Sequence, residues 1–131
     1  MLFRSEALSR WVARELGPHV PVHFTAFHPD WKMTDKPRTL HQTLIRSRHI
    51  ALEQGLHHVY VGNVQDKHRQ STYCHDCGER LIGRDSYVLS EWKLDPAGRC
   101  LRCGAQCPGV FDGPPGQWGA RRQPVRIAPV A

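Results

Sequence analysis

The five cysteines are the residues of this sequence with the clearest capacity for chemistry, and they lie within 34 consecutive positions. Four of them form two C-x-x-C-G motifs, Cys74-His75-Asp76-Cys77-Gly78 and Cys100-Leu101-Arg102-Cys103-Gly104, with 22 residues between Cys77 and Cys100. Two cysteines three positions apart can direct both sulfurs to one ion, and the following glycine lets the chain turn closely around them. The spacing therefore predicts a four-thiolate zinc site with the ligands Cys74, Cys77, Cys100 and Cys103.

A zinc ion held by four sulfurs has no open coordination position for water or substrate, so the predicted zinc is structural. Two alternatives remain for the same residues: isolated buried thiols, and an iron ion or iron–sulfur cluster on the same four sulfurs. Disulfides are disfavoured because the sequence has no readable secretory signal. A cytoplasmic, reducing location is therefore the expectation.

Two further residues near the motifs offer possible ligand atoms. Cys107 stands outside the paired motifs, and we expect it to be a small apolar packing residue. His75 could replace a cysteine as a ligand, but four thiolates already complete a tetrahedron. Neither residue is part of the predicted ligand set.

Length and charge limit what the protein can be. A chain of 131 residues can form one ordinary domain or two very small ones. The 18 lysines and arginines against 12 aspartates and glutamates give a net charge of +6, and these basic residues form no block typical of a nucleic-acid-binding arm. No apolar run approaches the roughly 18 residues needed to cross a bilayer, so no membrane partner is predicted.

The sequence divides near residues 64–72, because all the cysteines and most of the glycines and prolines follow that point. We therefore predict two domains, 1–66 and 67–131. In the second domain, apolar and aromatic segments at 81–82 and 87–92 lie between the two cysteine motifs. They predict a short antiparallel ribbon.

The first domain has the pattern of one βαβ unit preceded by a helix. The predicted elements are a helix over residues 5–16 capped by Ser5, a strand over 21–27, a helix that Thr39 caps and Gly55 ends, and a strand over 57–62. A crossover helix between two strands sets them parallel, with a right-handed crossover. Two strands and two helices cover one face of a parallel sheet at most, so we expect packing against further βα units from another polypeptide.

The carboxyl ends of the two predicted strands form a candidate ligand-binding edge, as they do in other parallel sheets. His28 follows the first strand and Asn63 follows the second. The alternative is that these residues only form the turns that end the strands.

Four segments carry a resemblance to a known enzyme family: VHFTAFHPDW at 22–31, VYVGNV at 59–64, STYC at 71–74 and CPGVFDGPPGQWGARR at 107–122. In this order they resemble the C-terminal half of the AmmeMemoRadiSam-system radical SAM enzyme, a family similar to pyruvate formate-lyase activating enzymes. The resemblance covers nearly the whole chain, from residue 5 to residue 127.

The resemblance implies an α/β fold: a partial (β/α) radical-SAM-type barrel fragment, followed by a small zinc-ribbon-like β domain. Full-length family members have an N-terminal C-x₃-C-x₂-C loop whose [4Fe–4S] cluster cleaves S-adenosylmethionine to a radical. These 131 residues contain no such loop, and the run from Cys100 through Cys103 to Cys107 has the reverse spacing. The chain alone is therefore expected to be inactive, with the missing N-terminal half or another polypeptide as its partner.

The resemblance also implies roles for single residues. His28 matches a position where related activating enzymes contact the methionyl part of S-adenosylmethionine. Asn63 stands at the equivalent edge of the final strand, and we include both residues as candidate cofactor-binding residues. The four paired cysteines match those of the family's tail. S-adenosylmethionine and [4Fe–4S] are thus expected as cofactors of the full-length family, and structural Zn²⁺ as the cofactor of this chain.

A binding module is the alternative function. A zinc ribbon could bind nucleic acid through stacking by Tyr87, Trp92 and Trp118, with nearby arginines contacting phosphates. The arginines alternate with acidic residues, which makes nucleic acid an unlikely partner. The second possibility is an interaction protein that completes a split barrel without any chemistry of its own.

Overall fold

A computed structural model describes residues 2–117, 119–125 and 127, with the side chains of residues 2 and 3 excepted. Trp118, one of the candidate stacking residues, lies outside the described residues. The described part of the chain is mixed α/β, as predicted. Its elements in order are α1 (Leu2–Trp11), a π-helical turn (Val12–Leu16), β1 (Val22–Thr25), α2 (His41–Glu53), β2 (Val59–Gly62), α3 (Lys67–Gln70), β3 (Thr72–Tyr73), β4 (Arg80–Asp85) and β5 (Val88–Trp92).

The predicted βαβ unit is present. Strands β1 and β2 are parallel, with Val22 opposite Val59 and Thr25 opposite Gly62, and α2 connects them. Apolar side chains from α2, β2 and the π-helical turn form its main core, which explains why a short parallel pair can be held in place. The buried members are Val12, Ala51, Leu56 and Val59.

The first helical segment ends at Leu16 as predicted, but it begins earlier and its last turn is of another helix type. It begins at Leu2, so Ser5 lies inside the helix and is not its N-cap; its hydroxyl instead lies 3.3 Å from the Ser47 hydroxyl of α2. The last turn is π-helical rather than α-helical because the Gly17 N–H donates to the Val12 carbonyl, five residues back. The chain then leaves the helix at Gly17, where φ is +103°.

The second helix corrects the prediction that Thr39 caps it. The N-cap position is Leu40, which makes no side-chain capping hydrogen bond. The Thr39 hydroxyl instead accepts a hydrogen bond from the Phe27 N–H at 2.9 Å, and the Thr39 N–H donates to the Phe27 carbonyl. Thr39 therefore fixes the loop after β1 rather than the start of α2.

The second sheet is antiparallel, in the order β3-β4-β5. The predicted ribbon is confirmed as the β4–β5 hairpin, and β3 adds a strand that the sequence pattern did not predict. Its core contains two of the paired cysteines and Cys107 together with apolar residues, and the buried members are Cys74, Leu81, Ile82, Leu94, Cys100 and Cys107. No helix in the described part of the chain has both the length and the apolar character of a membrane span.

Asp66 anchors the connection between the two sheets. Its carboxylate is the N-cap of α3, accepting hydrogen bonds from the backbone N–H of Arg69 at 3.0 Å and the Arg69 guanidinium at 2.9 Å. The His41 imidazole Nε2 lies 2.8 Å from the same carboxylate. Burial opposes ionisation of Asp66, but these hydrogen bonds outweigh it and lower its pKa below the ordinary 3.8. Helix α3 packs against both β2 and β4, so this cap helps to hold the two sheets together.

We expect Asp66→Asn to destabilise the protein by about 1–3 kcal/mol, because it removes a buried charged hydrogen-bond acceptor. A lowered folded-state pKa stabilises the fold above the unfolded-state pKa, and this stabilisation is lost only as the pH falls through the folded value. The difference from wild type should thus be the same at about pH 7 and about pH 5. Urea unfolding of the zinc-loaded protein measures it.

Asp35→Asn is the matched control, since Asp35 is exposed and paired only with the exposed Lys36. Equal destabilisation by the two substitutions would contradict the structural role of Asp66.

Candidate metal centre

The two C-x-x-C-G motifs fold into two similar turns, which we call the knuckles (residues 74–79 and 100–105). In each knuckle the backbone carbonyl of the first cysteine accepts a hydrogen bond from the N–H of the glycine four residues later. The N–H of that cysteine donates to the carbonyl of the residue that follows the glycine. The pairs are Gly78 N–Cys74 O at 3.0 Å, Cys74 N–Glu79 O at 2.8 Å, Gly104 N–Cys100 O at 2.8 Å and Cys100 N–Ala105 O at 2.9 Å.

The glycine that ends each motif is needed for its backbone conformation. Gly78 has a φ of +75° and Gly104 a φ of +78°, which is the left-handed region that residues with a Cβ rarely adopt. A Cβ at either position would meet no atom within 4 Å. The requirement is therefore conformational rather than steric, as the sequence argument assumed.

The knuckles bring four sulfurs together. Cys74 Sγ lies 3.6 Å from Cys103 Sγ, and Cys77 Sγ lies 3.7 Å from Cys100 Sγ. All four sulfurs are within 4.8 Å of one another. Zn–S bonds of about 2.3 Å in a tetrahedron place the sulfurs roughly 3.8 Å apart, so the observed separations fit one ion. The four predicted ligands are positioned to bind a metal such as zinc.

The protonation of the thiols is uneven in the absence of a cation. Backbone N–H groups of Cys103 and Arg102 favour the Cys100 thiolate and help to lower its pKa to about 7. The Ala105 N–H acts in the same direction on Cys103, but desolvation and hydrogen bonds with the other thiols outweigh it and raise the pKa of Cys103 to about 12. Four adjacent sulfurs cannot all be ionised without a positive ion between them, whereas a bound metal keeps coordinating thiols deprotonated.

The segment that follows the second knuckle, including Cys107 and Phe111, packs against the residues that precede this knuckle. Cys107 N–H donates to the Gly98 carbonyl at 2.9 Å. Gly98 has a φ of +79°, and a Cβ there would lie 2.2 Å from the Phe111 ring. Phe111 in turn makes an edge contact with Trp92 of β5, with ring centres 6.1 Å apart. The hairpin and the segment after the knuckle thus form one packed support for the sulfurs.

The residues that the sequence analysis left out of the ligand set also lie outside it in the structure. Cys107 is buried in the core of the second sheet, where burial raises the pKa of its thiol. His75 is exposed in the first knuckle. The convergent group contains the four predicted cysteines and neither of these residues.

The candidate cofactor-binding residues lie at the predicted edge but differ in surroundings. Asn63 directly follows β2 in a left-handed conformation, with φ of +56°, and its side-chain amide donates to the Ala26 carbonyl at 2.9 Å. It lines an open groove of about 1160 Å³ along the uncovered face of β1 and β2. His28 is exposed on the loop after β1 and is not among the residues lining that groove.

Sequence reasoning missed several polar residues of the groove. His23 and Thr25 point to it because β1 alternates half-buried and exposed residues. Tyr60 joins them from β2, with its ring 4.9 Å from that of His23, and the Arg84 guanidinium lies 5.6 Å from the Tyr60 ring. The alternation in β1 was a readable signal, but the approach of Arg84 from the second sheet was not.

Three candidate residues of the nucleic-acid alternative, one aromatic and two of the nearby arginines, are engaged within the protein, whereas Tyr87 is exposed. Trp92 packs against the core of the second sheet. The Arg80 guanidinium donates to the Glu91 carboxylate at 2.5 Å, and that of Arg84 donates to the Thr72 hydroxyl at 2.6 Å. A free array of aromatic and basic side chains along a strand-binding surface is therefore not formed by these three residues.

Comparison with known proteins gives a relative without an assigned activity. No family model matches the chain, and no solved structure matches it. Over 95 residues the chain is 44% identical to the uncharacterized protein MJ0808 of Methanocaldococcus jannaschii. The alignment covers 72% of this chain and 28% of the relative, so the chain spans less than a third of that protein's length. Fold and site together define a mixed α/β protein with four cysteines positioned to bind a metal.

We expect the purified chain to retain about one zinc ion after reconstitution, and Cys74→Ser or Cys103→Ser to abolish that retention, because a tetrahedral site loses one of its four ligands. Native mass spectrometry of the intact chain counts the ion. Cys107→Ala is the control, because Cys107 is buried nearby but lies outside the convergent group. Zinc retained by Cys103→Ser, or lost from Cys107→Ala with the fold preserved, would contradict the assignment.

Proposed function

We propose that this chain is the C-terminal portion of a radical S-adenosylmethionine enzyme of the AmmeMemoRadiSam type, related to glycyl-radical activating enzymes, with structural zinc on its four cysteines. In that role it supplies the last βα units of a partial barrel and a zinc-ribbon-like tail. Reductive cleavage of S-adenosylmethionine depends on a [4Fe–4S] cluster, for which these 131 residues offer no C-x₃-C-x₂-C loop.

The proposal rests mainly on the parallel sheet, which has only two strands in the described part of the chain and an uncovered face. The Val22 N–H donates to the carbonyl of His58, the residue before β2, and the Ala26 N–H donates to the carbonyl of Gly62 in β2. The alternate residues His23 and Thr25 therefore direct their backbone polar groups to the outer edge of β1, where a further strand can pair. Parallel strands normally have both faces covered, whereas one face of this pair lines the open groove. A barrel would supply both a strand to pair with the outer edge of β1 and further elements to enclose the uncovered face.

The polar character of the open face supports the same interpretation. His23, Thr25 and Tyr60 line the groove together with Asn63, and the groove is large enough for a nucleoside-sized ligand. A face that packed only against a helix would present apolar residues, as the opposite face does with Val59 and Val61. Polar residues on the inner face suit a barrel lumen that binds a polar cofactor.

The length of the uncharacterized relative is compatible with this proposal. The aligned region covers 28% of it, which leaves ample chain for the strands and the cluster-binding loop that a barrel requires. In such an assembly His28 and Asn63 would contact S-adenosylmethionine at the carboxyl edge of the last strands. The zinc site would stabilise the fold of the tail. It would take no part in the reaction, because four thiolate ligands leave zinc no open coordination position.

The test is reconstitution with and without a cluster-bearing partner. Supplied with iron, sulfide, reductant and S-adenosylmethionine, the zinc-loaded chain alone should form no 5′-deoxyadenosine. Mixed with the N-terminal half of an AmmeMemoRadiSam-type enzyme, it should raise 5′-deoxyadenosine formation above that of the partner alone. In the mixture, His28→Ala or Asn63→Ala should raise the KM for S-adenosylmethionine.

His49→Ala is the matched control, since His49 is an exposed histidine of α2 paired with Glu53. Two results would overturn the proposal. One is 5′-deoxyadenosine formation by the chain alone, and the other is a partner whose activity is the same with and without the chain.

A further inference from the structure

Four histidines meet on the side of the βαβ unit that faces the first knuckle. They come from three separate segments: His19 from the turn before β1, His57 and His58 from the segment that enters β2, and His75 from the first knuckle. We call this group the histidine cluster. Backbone hydrogen bonds fix two of the segments, because the His57 N–H donates to the Pro18 carbonyl at 2.9 Å.

The rings of three of these histidines are evenly spaced. The ring centres are 4.8 Å apart for His19 and His57, 4.9 Å for His57 and His75, and 5.3 Å for His19 and His75. The Nδ1 atoms of His19 and His57 are 3.2 Å apart. Imidazoles repel one another when protonated, so three rings at this spacing require either neutral rings or a cation between them.

The distances between these rings, though not yet their orientations, match those of imidazoles on a single transition-metal ion. The His57 and His75 rings are stacked, 5° from parallel, so one of them must turn before both lone pairs meet at one ion. With Zn–N bonds of about 2.0–2.1 Å, two nitrogens in a tetrahedron lie roughly 3.3 Å apart, and the ring centres lie about 5 Å apart. The pair formed by His19 and His57 already has this nitrogen separation. Among the described residues, only the four thiols have ligand atoms that already converge on one point. The three histidines would converge in the same way only after the His75 ring turns. Its exposed position in the knuckle allows that rotation.

His58 provides a second, independent observation. The residue is 5% exposed, and its Nε2 has no hydrogen-bond partner among the described residues. An unpaired buried nitrogen is costly unless it finds a donor or a cation. Its ring centre lies 6.4–6.5 Å from the other three, and it lines a cavity of about 430 Å³ together with His57 and His75.

The electrostatic state of the cluster is suited to ligation. Burial, with the neighbouring imidazoles adding to it, lowers the pKa of His58 to about 4, and burial likewise lowers the pKa of His57. The lowered pKa of each ring favours its neutral form, which has a lone pair to offer. Neutral imidazole binds zinc, nickel, cobalt and copper ions rather than magnesium or calcium.

We propose that the histidine cluster is a second metal site, which binds a divalent transition-metal ion through His19, His57 and His75. The buried His58 lies beside these three ligands. The site is chemically distinct from the four-thiolate site because all its ligands are nitrogens. It also leaves the ion closer to solvent, since His19 and His75 are exposed. The proposal stands on the cluster itself and is independent of the proposed radical-enzyme role.

Nickel titration of the zinc-loaded chain tests this proposal. The chain is first loaded with one zinc ion per molecule, and Ni²⁺ is then added while native mass spectrometry counts both metals. Wild type should bind one Ni²⁺ and keep its zinc. His19→Ala and His57→Ala should each weaken the Ni²⁺ affinity at least about tenfold, because each removes one of the ligands.

The controls separate loss of the site from loss of the fold. Zinc retained by His57→Ala shows that the knuckles are still folded, and His19→Ala changes only an exposed turn residue. His49→Ala should bind Ni²⁺ as wild type does, because His49 lies outside the cluster. Three outcomes would overturn the proposal: no Ni²⁺ bound by wild type, Ni²⁺ bound equally well by His19→Ala and His57→Ala, or Ni²⁺ bound only in exchange for zinc.

Discussion

Four sulfur atoms held within 4.8 Å of one another are the constraint on which the second half of this protein depends. Backbone N–H groups lower the pKa of Cys100, while desolvation and the neighbouring thiols raise that of Cys103, and four thiolates this close together need a positive ion between them. With a cation they would become one cross-link between two knuckles whose nearest cysteines, Cys77 and Cys100, have 22 residues between them in the chain. A sheet of three short strands has little apolar surface to bury, so a metal that links its ends contributes directly to folding.

The parallel half is stabilised differently and less completely. Its core lies between α2, the π-helical turn and one face of the strands, while the described residues neither cover the other face nor pair with the outer edge of β1. The two halves are joined where Asp66 caps α3 and where Arg84 reaches from β4 toward the Tyr60 ring. The groove and the cavity beside the histidine cluster are both lined by residues from the two halves, which places the candidate chemistry between the sheet that carries the four cysteines and the two-stranded parallel sheet.

The convergence of the four cysteines could be predicted from the sequence because half of its geometry is local: each C-x-x-C-G motif forms its own turn, and Gly78 and Gly104 supply the positive φ angles. The βαβ order was equally readable, since period and breakers are local properties. The N-caps were not. Ser5 and Thr39 have the right side chains for capping, but tertiary hydrogen bonds to Ser47 and Phe27 use them elsewhere. The histidine cluster could not be predicted from the sequence for the same reason, because its members come together only when three segments distant in the chain pack against one another.

X-ray absorption at the zinc edge of the chain loaded with one equivalent of zinc tests the central claim most directly. The account predicts a first coordination shell of four sulfur atoms at about 2.3 Å and no nitrogen or oxygen. A shell with fewer than four sulfurs, completed by nitrogen or oxygen atoms, would contradict it.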